Sequence, residues 1–245
     1  MNNKIYLLLL IAGGLFMTFV SCKDKKDAPY VVDDLSPEYY PLAVNKYVVY
    51  DVDSIIWNDS TCAREVRHFR MRYTIVDSFR DQQDRRSYRI EVAVQTDSAG
   101  WVPDAVCYVT PTSAGVEYSE SGFRFIKLSY PIEEGHTWEG NALIPAREDG
   151  DLGYLAGWRY RYQDIGAPYG ANAGYDSTVT VIQADKEEGD PGSNPDTYAY
   201  RLFSKEIYAH DVGLVYKEYT RVIYDPAESG CRKGFTVLMR AGDHN

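Results

Sequence analysis

The run Phe69-Arg70-Met71-Arg72-Tyr73-Thr74-Ile75 carries an apolar side chain at every second position, and Tyr88-Arg89-Ile90-Glu91-Val92-Ala93-Val94 does much the same. Successive side chains of a strand point to opposite faces of the sheet, so a period of two marks a strand with one buried face. Between the two runs lies Asp81-Gln82-Gln83-Asp84-Arg85, a polar stretch of turn-forming residues. Two alternating runs joined by a solvated turn read as an antiparallel hairpin.

Further strand-like runs follow at 47–56, 106–110, 123–130, 158–162, 178–184, 212–224 and 235–240. Together they predict an all-β chain, a single domain built as a strongly curved antiparallel sheet or open barrel with little helix. Two short segments, 142–155 and 198–209, are the best helical candidates, and the second reads equally well as a strand. Tyr40-Pro41-Leu42-Ala43-Val44-Asn45-Lys46-Tyr47-Val48 is echoed by Tyr130-Pro131-Ile132-Glu133-Glu134-Gly135-His136-Thr137-Trp138. Each predicts a turn at Asn45 or Gly135 that launches a strand. A shared turn is favoured over two duplicated halves, because a repeat needs more than one matching segment.

At the N-terminus a single charge, Lys4, precedes an apolar run from Ile5 to Val20, followed by Ser21 and Cys22. The run is shorter than the roughly 20 apolar residues of a membrane-spanning helix, and Lys23-Asp24-Lys25-Lys26-Asp27 follows it, as at the end of a secretory signal. Phe19-Val20-Ser21-Cys22 resembles a lipobox, with Phe19 where leucine is usual. It predicts a signal peptide over 1–21, lipidation of Cys22 with palmitate-class acyl chains, a flexible tether over 22–36 and an antiparallel β domain over 37–245. The alternatives are an ordinary signal cut after Ser21 and a short membrane anchor. More than one acyl chain is what stable anchoring requires.

Removing residues 1–21 takes only Lys4 from the charge count and leaves a net charge of −11 where the full chain has −10. An acidic surface repels phosphate backbones, which argues against a nucleic-acid partner. Past Cys22 there remain Cys62, Cys107 and Cys231, enough for one internal disulfide at most. Cys107 sits in an apolar run and reads as a small buried hydrophobe. Cys62 and Cys231 lie in polar, turn-like surroundings and are the disulfide candidate in an exported protein; the alternative is three free thiols.

None of the four histidines, His68, His136, His210 and His244, falls in a zinc-type spacing, and neither Gly-x-Ser-x-Gly nor a phosphate-binding glycine loop occurs. No catalytic residue, metal or cofactor is therefore assigned. The acidic loop at 185–196 fits no EF-hand spacing and reads as solvated. The chain holds 22 tyrosines and 4 tryptophans, most of them expected to fill a β core. Trp101, between Gly100 and Pro103 in an expected loop, is the candidate for ligand contact. Asp53-Ser54-Ile55, Asp59-Ser60-Thr61, Asp97-Ser98-Ala99 and Asp176-Ser177-Thr178 resemble the O-glycosylation signal of exported Bacteroidota proteins. Ser54, Ser60, Ser98 and Ser177 are thus candidates, the last three in turn-like stretches.

Tyr39-Tyr40-Pro41-Leu42, the strand Tyr47-Val48-Val49-Tyr50-Asp51-Val52-Asp53-Ser54-Ile55, Gly135-His136-Thr137-Trp138, Val212-Gly213-Leu214-Val215-Tyr216 and Ser229-Gly230-Cys231-Arg232-Lys233-Gly234 together resemble an uncharacterised family of Bacteroidota lipoproteins. The resemblance spans nearly the whole mature chain and lends no catalytic residues. The pattern is also similar, at the level of fold, to curved sheets of the lipoprotein-carrier type, which hold an apolar ligand. The functional expectation is a non-enzymatic lipoprotein of the outer membrane, attached through Cys22. It would serve as an accessory or scaffold subunit with a protein partner there. The alternatives are a binding module for a glycan or small apolar ligand, and a hydrolase with an unrecognised carboxylate site.

Overall fold

A computed structural model describes residues 38–96, 99–147, 149–170 and 174–245. The lipidation candidate Cys22 and the glycosylation candidate Ser98 lie outside the described residues. Twelve strands form one antiparallel sheet: β1 Tyr47–Asn58, β2 Ala63–Arg80, β3 Arg86–Thr96, β4 Gly100–Thr112, β5 Gly115–Glu120, β6 Phe123–Ser129, β7 Thr137–Glu139, β8 Arg159–Tyr169, β9 Tyr175–Glu188, β10 Ala199–Ala209, β11 Gly213–Tyr224 and β12 Arg232–His244. Their spatial order is β6-β5-β4-β3-β2-β1-β12-β11-β10-β9-β8-β7. Neighbours in the sheet are successive strands except at the centre, where β1 meets β12 and so joins the beginning of the chain's strands to their end, and β6 and β7 are left as the two outer strands.

The outer strands β6 and β7 come round to face each other. The Ile126 amide donates to the Gly140 carbonyl (2.7 Å) and the Trp138 indole N–H to the Ile126 carbonyl (2.8 Å). The sheet is thereby nearly closed into a barrel, which removes most of the unpaired edge that an open sheet exposes. The interior is filled by alternate side chains of every strand, with Val109, Val116, Leu128, Tyr160, Tyr162, Val179 and Val181 almost wholly buried. Burial of each such side chain contributes about 1.5–3 kcal/mol.

The hairpin read from residues 69–94 is present, with Ile75 opposite Ile90 and Met71 opposite Val94. Both echoed turns form alike. Asn45 and Gly135 have φ of 73° and 77°, the left-handed region. The amide after each closes the turn, Lys46 onto the Ala43 carbonyl and His136 onto the Glu133 carbonyl. Each turn is then knitted to the next strand by the same two bonds. Asn45 N–H reaches Ile75 O and Ile75 N–H reaches Lys46 O; Gly135 N–H reaches Tyr162 O and Tyr162 N–H reaches His136 O. One turn launches β1–β6 and the other β7–β12, two meanders of six strands.

Neither helical candidate is an α-helix. Residues 142–147 and 149–155 form turns and irregular backbone ending in a single 3-10 turn, Gly153–Leu155. Pro145, Gly150 and Gly153 break the helical pattern, and the segment is pinned instead by Asn141, whose amide donates to the Leu155 carbonyl and whose oxygen accepts from the Tyr160 hydroxyl. Residues 199–209 are strand β10, because β9 and β11 flank it and supply ladder bonds on both sides. Among the described residues no helix is long and apolar enough to cross a membrane.

Candidate ligand-binding cavity

Alternation along β10 sends Leu202, Ser204, Glu206 and Tyr208 into the barrel, all of them buried. Across the ladder Glu206 faces Lys217 of β11. From β6, Lys127 reaches the same carboxylate, donating to Glu206 Oε1 at 2.7 Å, while Lys217 Nζ stands 3.8 Å from that oxygen. The other oxygen, Oε2, accepts from Gln183 (2.6 Å) and from the Tyr208 hydroxyl (2.6 Å). Gln183 in turn accepts from Ser204. The Lys127 ammonium also lies over the rings of Phe125 (5.2 Å) and Tyr118 (5.7 Å). An interior carboxylate is tolerated only when its lone pairs are filled in this way.

Beside this network lies a cavity of about 80 Å³. Its wall includes Tyr40, Tyr50, Tyr73, Tyr118 and Tyr208, with Ile75, Ile90, Leu214 and Met239 between them, and its charged groups are Glu120, Lys127, Glu206 and Lys217, with Lys46 at the rim. The Tyr50 ring meets Tyr73 edge-on at 5.3 Å, and its hydroxyl donates to the Leu214 carbonyl. Tyr40 packs on Tyr208 at 5.8 Å. The segment leading to β1 supplies Tyr40, Pro41 and Lys46 to the wall. Glu38 O accepts from the Asp211 amide on one side, and Asn45 N–H binds Ile75 O on the other. Between them Tyr39 bonds Ser177 and Leu42 is buried.

Burial pushes the Glu206 carboxyl up, but Lys127 foremost and then Lys217 outweigh it and hold the group below the usual carboxylate range. Burial also pushes the phenols of Tyr40, Tyr50, Tyr118 and Tyr208 well up, and that of Tyr73 to about 12. These hydroxyls are therefore neutral donors near pH 7. For Lys217, burial favours the neutral amine, but Glu120 foremost and then Glu206 more than reverse it and raise its pKa.

The sequence-derived candidates fall elsewhere. Trp101 lies in strand β4 opposite Gln95, and not in a loop, because Gly100 to Pro103 continue the ladder with β3 through a bulge at Val92 and Ala93. It is half-buried, with the Arg72 guanidinium 4.8 Å and the Arg70 guanidinium 6.0 Å from its ring, and it takes no part in the cavity wall. Cys62 and Cys231 form a disulfide with Cα atoms 5.2 Å apart, and Cys107 is a buried free thiol. Ser60 is exposed in the β1–β2 turn, its amide and hydroxyl both donating to Asn58 Oδ1. Ser177 belongs to strand β9 rather than a turn, its hydroxyl engaged with Tyr39, and Ser54 is half-buried within β1 between Arg67 and Val237. The 185–196 segment is the end of β9 and an exposed loop, where Asp190 serves the Gly192 amide and the Ser193 hydroxyl. Among the described residues no cluster suited to a metal ion occurs. The charged cavity residues were missed because Glu206 and Lys127 interrupt apolar runs. Their signal was register: each occupies an inward position of its strand.

Fold and cavity together define a nearly closed antiparallel barrel with a charged, tyrosine-lined interior. No protein-family model and no curated protein sequence matches the chain. Among solved structures it is similar to LprF from Mycobacterium bovis, at 12% identity and TM-score 0.25 over 82% of this chain and 85% of that one. It is also similar to a protein of Bacteroides fragilis described as exported and of YmcC-like fold, at 11% identity and TM-score 0.28 over 83% of this chain and 98% of that one. Likeness at these TM-scores bears on neither the site nor an activity.

Proposed function

We propose that this chain is a non-enzymatic envelope lipoprotein, anchored to the outer membrane through Cys22, whose barrel is a binding module for a small ligand. The observation that carries the reading is the cavity: a concave, aromatic-lined space with a few convergent polar groups, the usual build of a small-molecule site. Glu206, engaged by Lys127, Gln183 and Tyr208, is committed to holding the interior together. That supports binding over hydrolysis, since a general base needs a free lone pair facing its substrate. The test is analysis of small molecules released on denaturing protein purified from its own membranes, beside a Leu214→Trp variant that fills the cavity. One molecule per chain, absent from the folded variant, is the expected result; equal or no release from both would end the reading.

The accessory-subunit reading draws on a different observation. On the outer face of the sheet the rings of Phe79 and Tyr108 meet edge-on at 5.9 Å, and these two side chains and Val106 are 39%, 41% and 44% exposed. Aromatic surface of this kind suits a protein contact. Affinity purification from membranes in mild detergent, with a Cys22→Ala control, tests it: a stoichiometric membrane partner lost in the control is expected, and recovery of this chain alone counts against it.

A further inference from the structure

Within the cavity two opposite charges, Lys217 and Glu120, lie within electrostatic range of each other without forming an ion-pair contact. The Lys217 ammonium donates no hydrogen bond among the described residues, and its nearest carboxylate oxygen, 3.8 Å away on Glu206, is already taken by Lys127 at 2.7 Å. Glu120 lines the same wall and makes neither an ion pair nor a side-chain hydrogen bond among the described residues. The hydroxyls of Tyr40 and Tyr73 are likewise without a partner among the described residues, although both side chains line the cavity. All four side chains are partly exposed, Lys217 to 23%, so their polar atoms are open to whatever occupies the cavity. Here one cation, one anion and two neutral hydroxyls share one small space walled by aromatic rings.

We propose that the cavity binds a small zwitterion, its ammonium group on Glu120 and its acidic group on Lys217, with the Tyr40 and Tyr73 hydroxyls completing the contacts. A molecule carrying both charges bridges the two groups, whereas a lone amine is repelled by Lys217 and a lone acid by Glu120, so the pair selects for both charges on one molecule. The aromatic wall favours the ammonium end further, through the ring faces. Size sets the scale: an enclosed water takes about 10–15 Å³ on this measure, so about 80 Å³ admits a ligand of roughly five to eight non-hydrogen atoms. An α-amino acid with a short side chain and the phosphoethanolamine head of a lipid both carry this chemistry at that size.

The inference rests on the binding-module reading and is tested apart from it. Calorimetric titration of the purified protein with glycine, alanine and phosphoethanolamine is compared with ethylamine, acetate and inorganic phosphate. Either zwitterion class is expected to bind at least tenfold more tightly than the single-charge probes, since a hydrogen bond to a charged group is worth about 1.5–3 kcal/mol. Preference for alanine or for phosphoethanolamine tells a free amino acid from a lipid head. Glu120→Gln is expected to weaken the zwitterion at least tenfold while leaving any acetate or phosphate binding in place. Lys217→Met is expected to weaken the zwitterion at least tenfold as well while leaving any ethylamine binding in place, and Lys217→Arg to retain binding should the methionine variant fail to fold. Equal affinity for zwitterions and single-charge probes, or no zwitterion binding by folded protein, overturns the proposal. If a ligand of other chemistry is nevertheless released from membrane-purified protein, the binding module stands without it.

Discussion

Glu206 shows most clearly how one side chain organises the interior. It is 1% exposed and is held by Lys127, Gln183 and Tyr208. Glu206→Ala leaves Lys127 buried without its counter-ion, and breaking such a pair costs about 3–5 kcal/mol. For a domain of this size that lowers Tm by roughly 6–20 °C, read by calorimetry. The sign of the pH dependence follows from the lowered pKa. A carboxyl whose folded-state pKa lies below its unfolded value of about 4.3 stabilises the fold at all higher pH. That contribution is lost as pH falls through the folded value. Urea midpoints should therefore fall between pH 6 and pH 3 by more in the wild type than in Glu206→Gln. The pattern of the sequence revealed Cys107 as buried, because its neighbours Val106, Tyr108 and Val109 are apolar. It placed Trp101 wrongly, because Gly100 and Pro103 look like loop residues even where a bulged strand accepts them. The Glu206 site was invisible for a physical reason: apart from Tyr208 on its own strand, its partners come from β6, β9 and β11, and nothing local to any of them foretells the meeting.

Among the strands, the hairpins were legible where alternation was strict, as in β2 and β3, and illegible where strands were short or polar, as in Gly115–Glu120. The β1–β12 pairing at the centre of the sheet joins residues nearly 200 positions apart and has no local signature. The Cys62–Cys231 disulfide links the β1–β2 turn to the β11–β12 turn beside that seam, across a sequence separation of 169. A cross-link closing so long a loop stabilises by about 2–5 kcal/mol. The double variant Cys62→Ser/Cys231→Ser, or reduction, should lower the urea midpoint accordingly while leaving the far-ultraviolet β spectrum unchanged. Gly234 of β12 has φ of 134°, and a Cβ there would lie 2.0 Å from the Arg221 carbonyl oxygen. The obstacle is backbone, so Gly234→Ala must displace β11 or β12. A loss of at least about 2 kcal/mol is expected by chemical denaturation; a neutral result would mean the ladder yields there. Asn45 tolerates its left-handed turn, so Asn45→Gly should be nearly silent and Asn45→Val should cost about 1–2 kcal/mol.

The molecule brings its barrel together side to side through Ile126, Trp138 and Gly140, and a strap from Glu38 to Asn45, bonded at its ends to Asp211 and Ile75, lines the cavity. With Cys22 as the proposed anchor, the residues between it and Glu38 reach at most about 55 Å, so the chain that would tie the domain to the membrane runs directly into the strap that lines the cavity. Ligand entry is expected to displace that strap. Amide exchange at Asp211 and Asn45, which hold its ends, should slow on ligand binding, and unchanged exchange would separate the strap from access to the cavity. An all-β, strongly curved sheet was readable from a period of two. A space for a ligand was not, because a cavity is what inward side chains leave unfilled, and that depends on the register of all twelve strands at once. The most direct measurement is a crystal structure of protein purified from its own membranes without added small molecules. The account predicts continuous density, larger than water, between Tyr40, Tyr73 and Lys217. Isolated waters there, or side chains collapsed into the space, would contradict it.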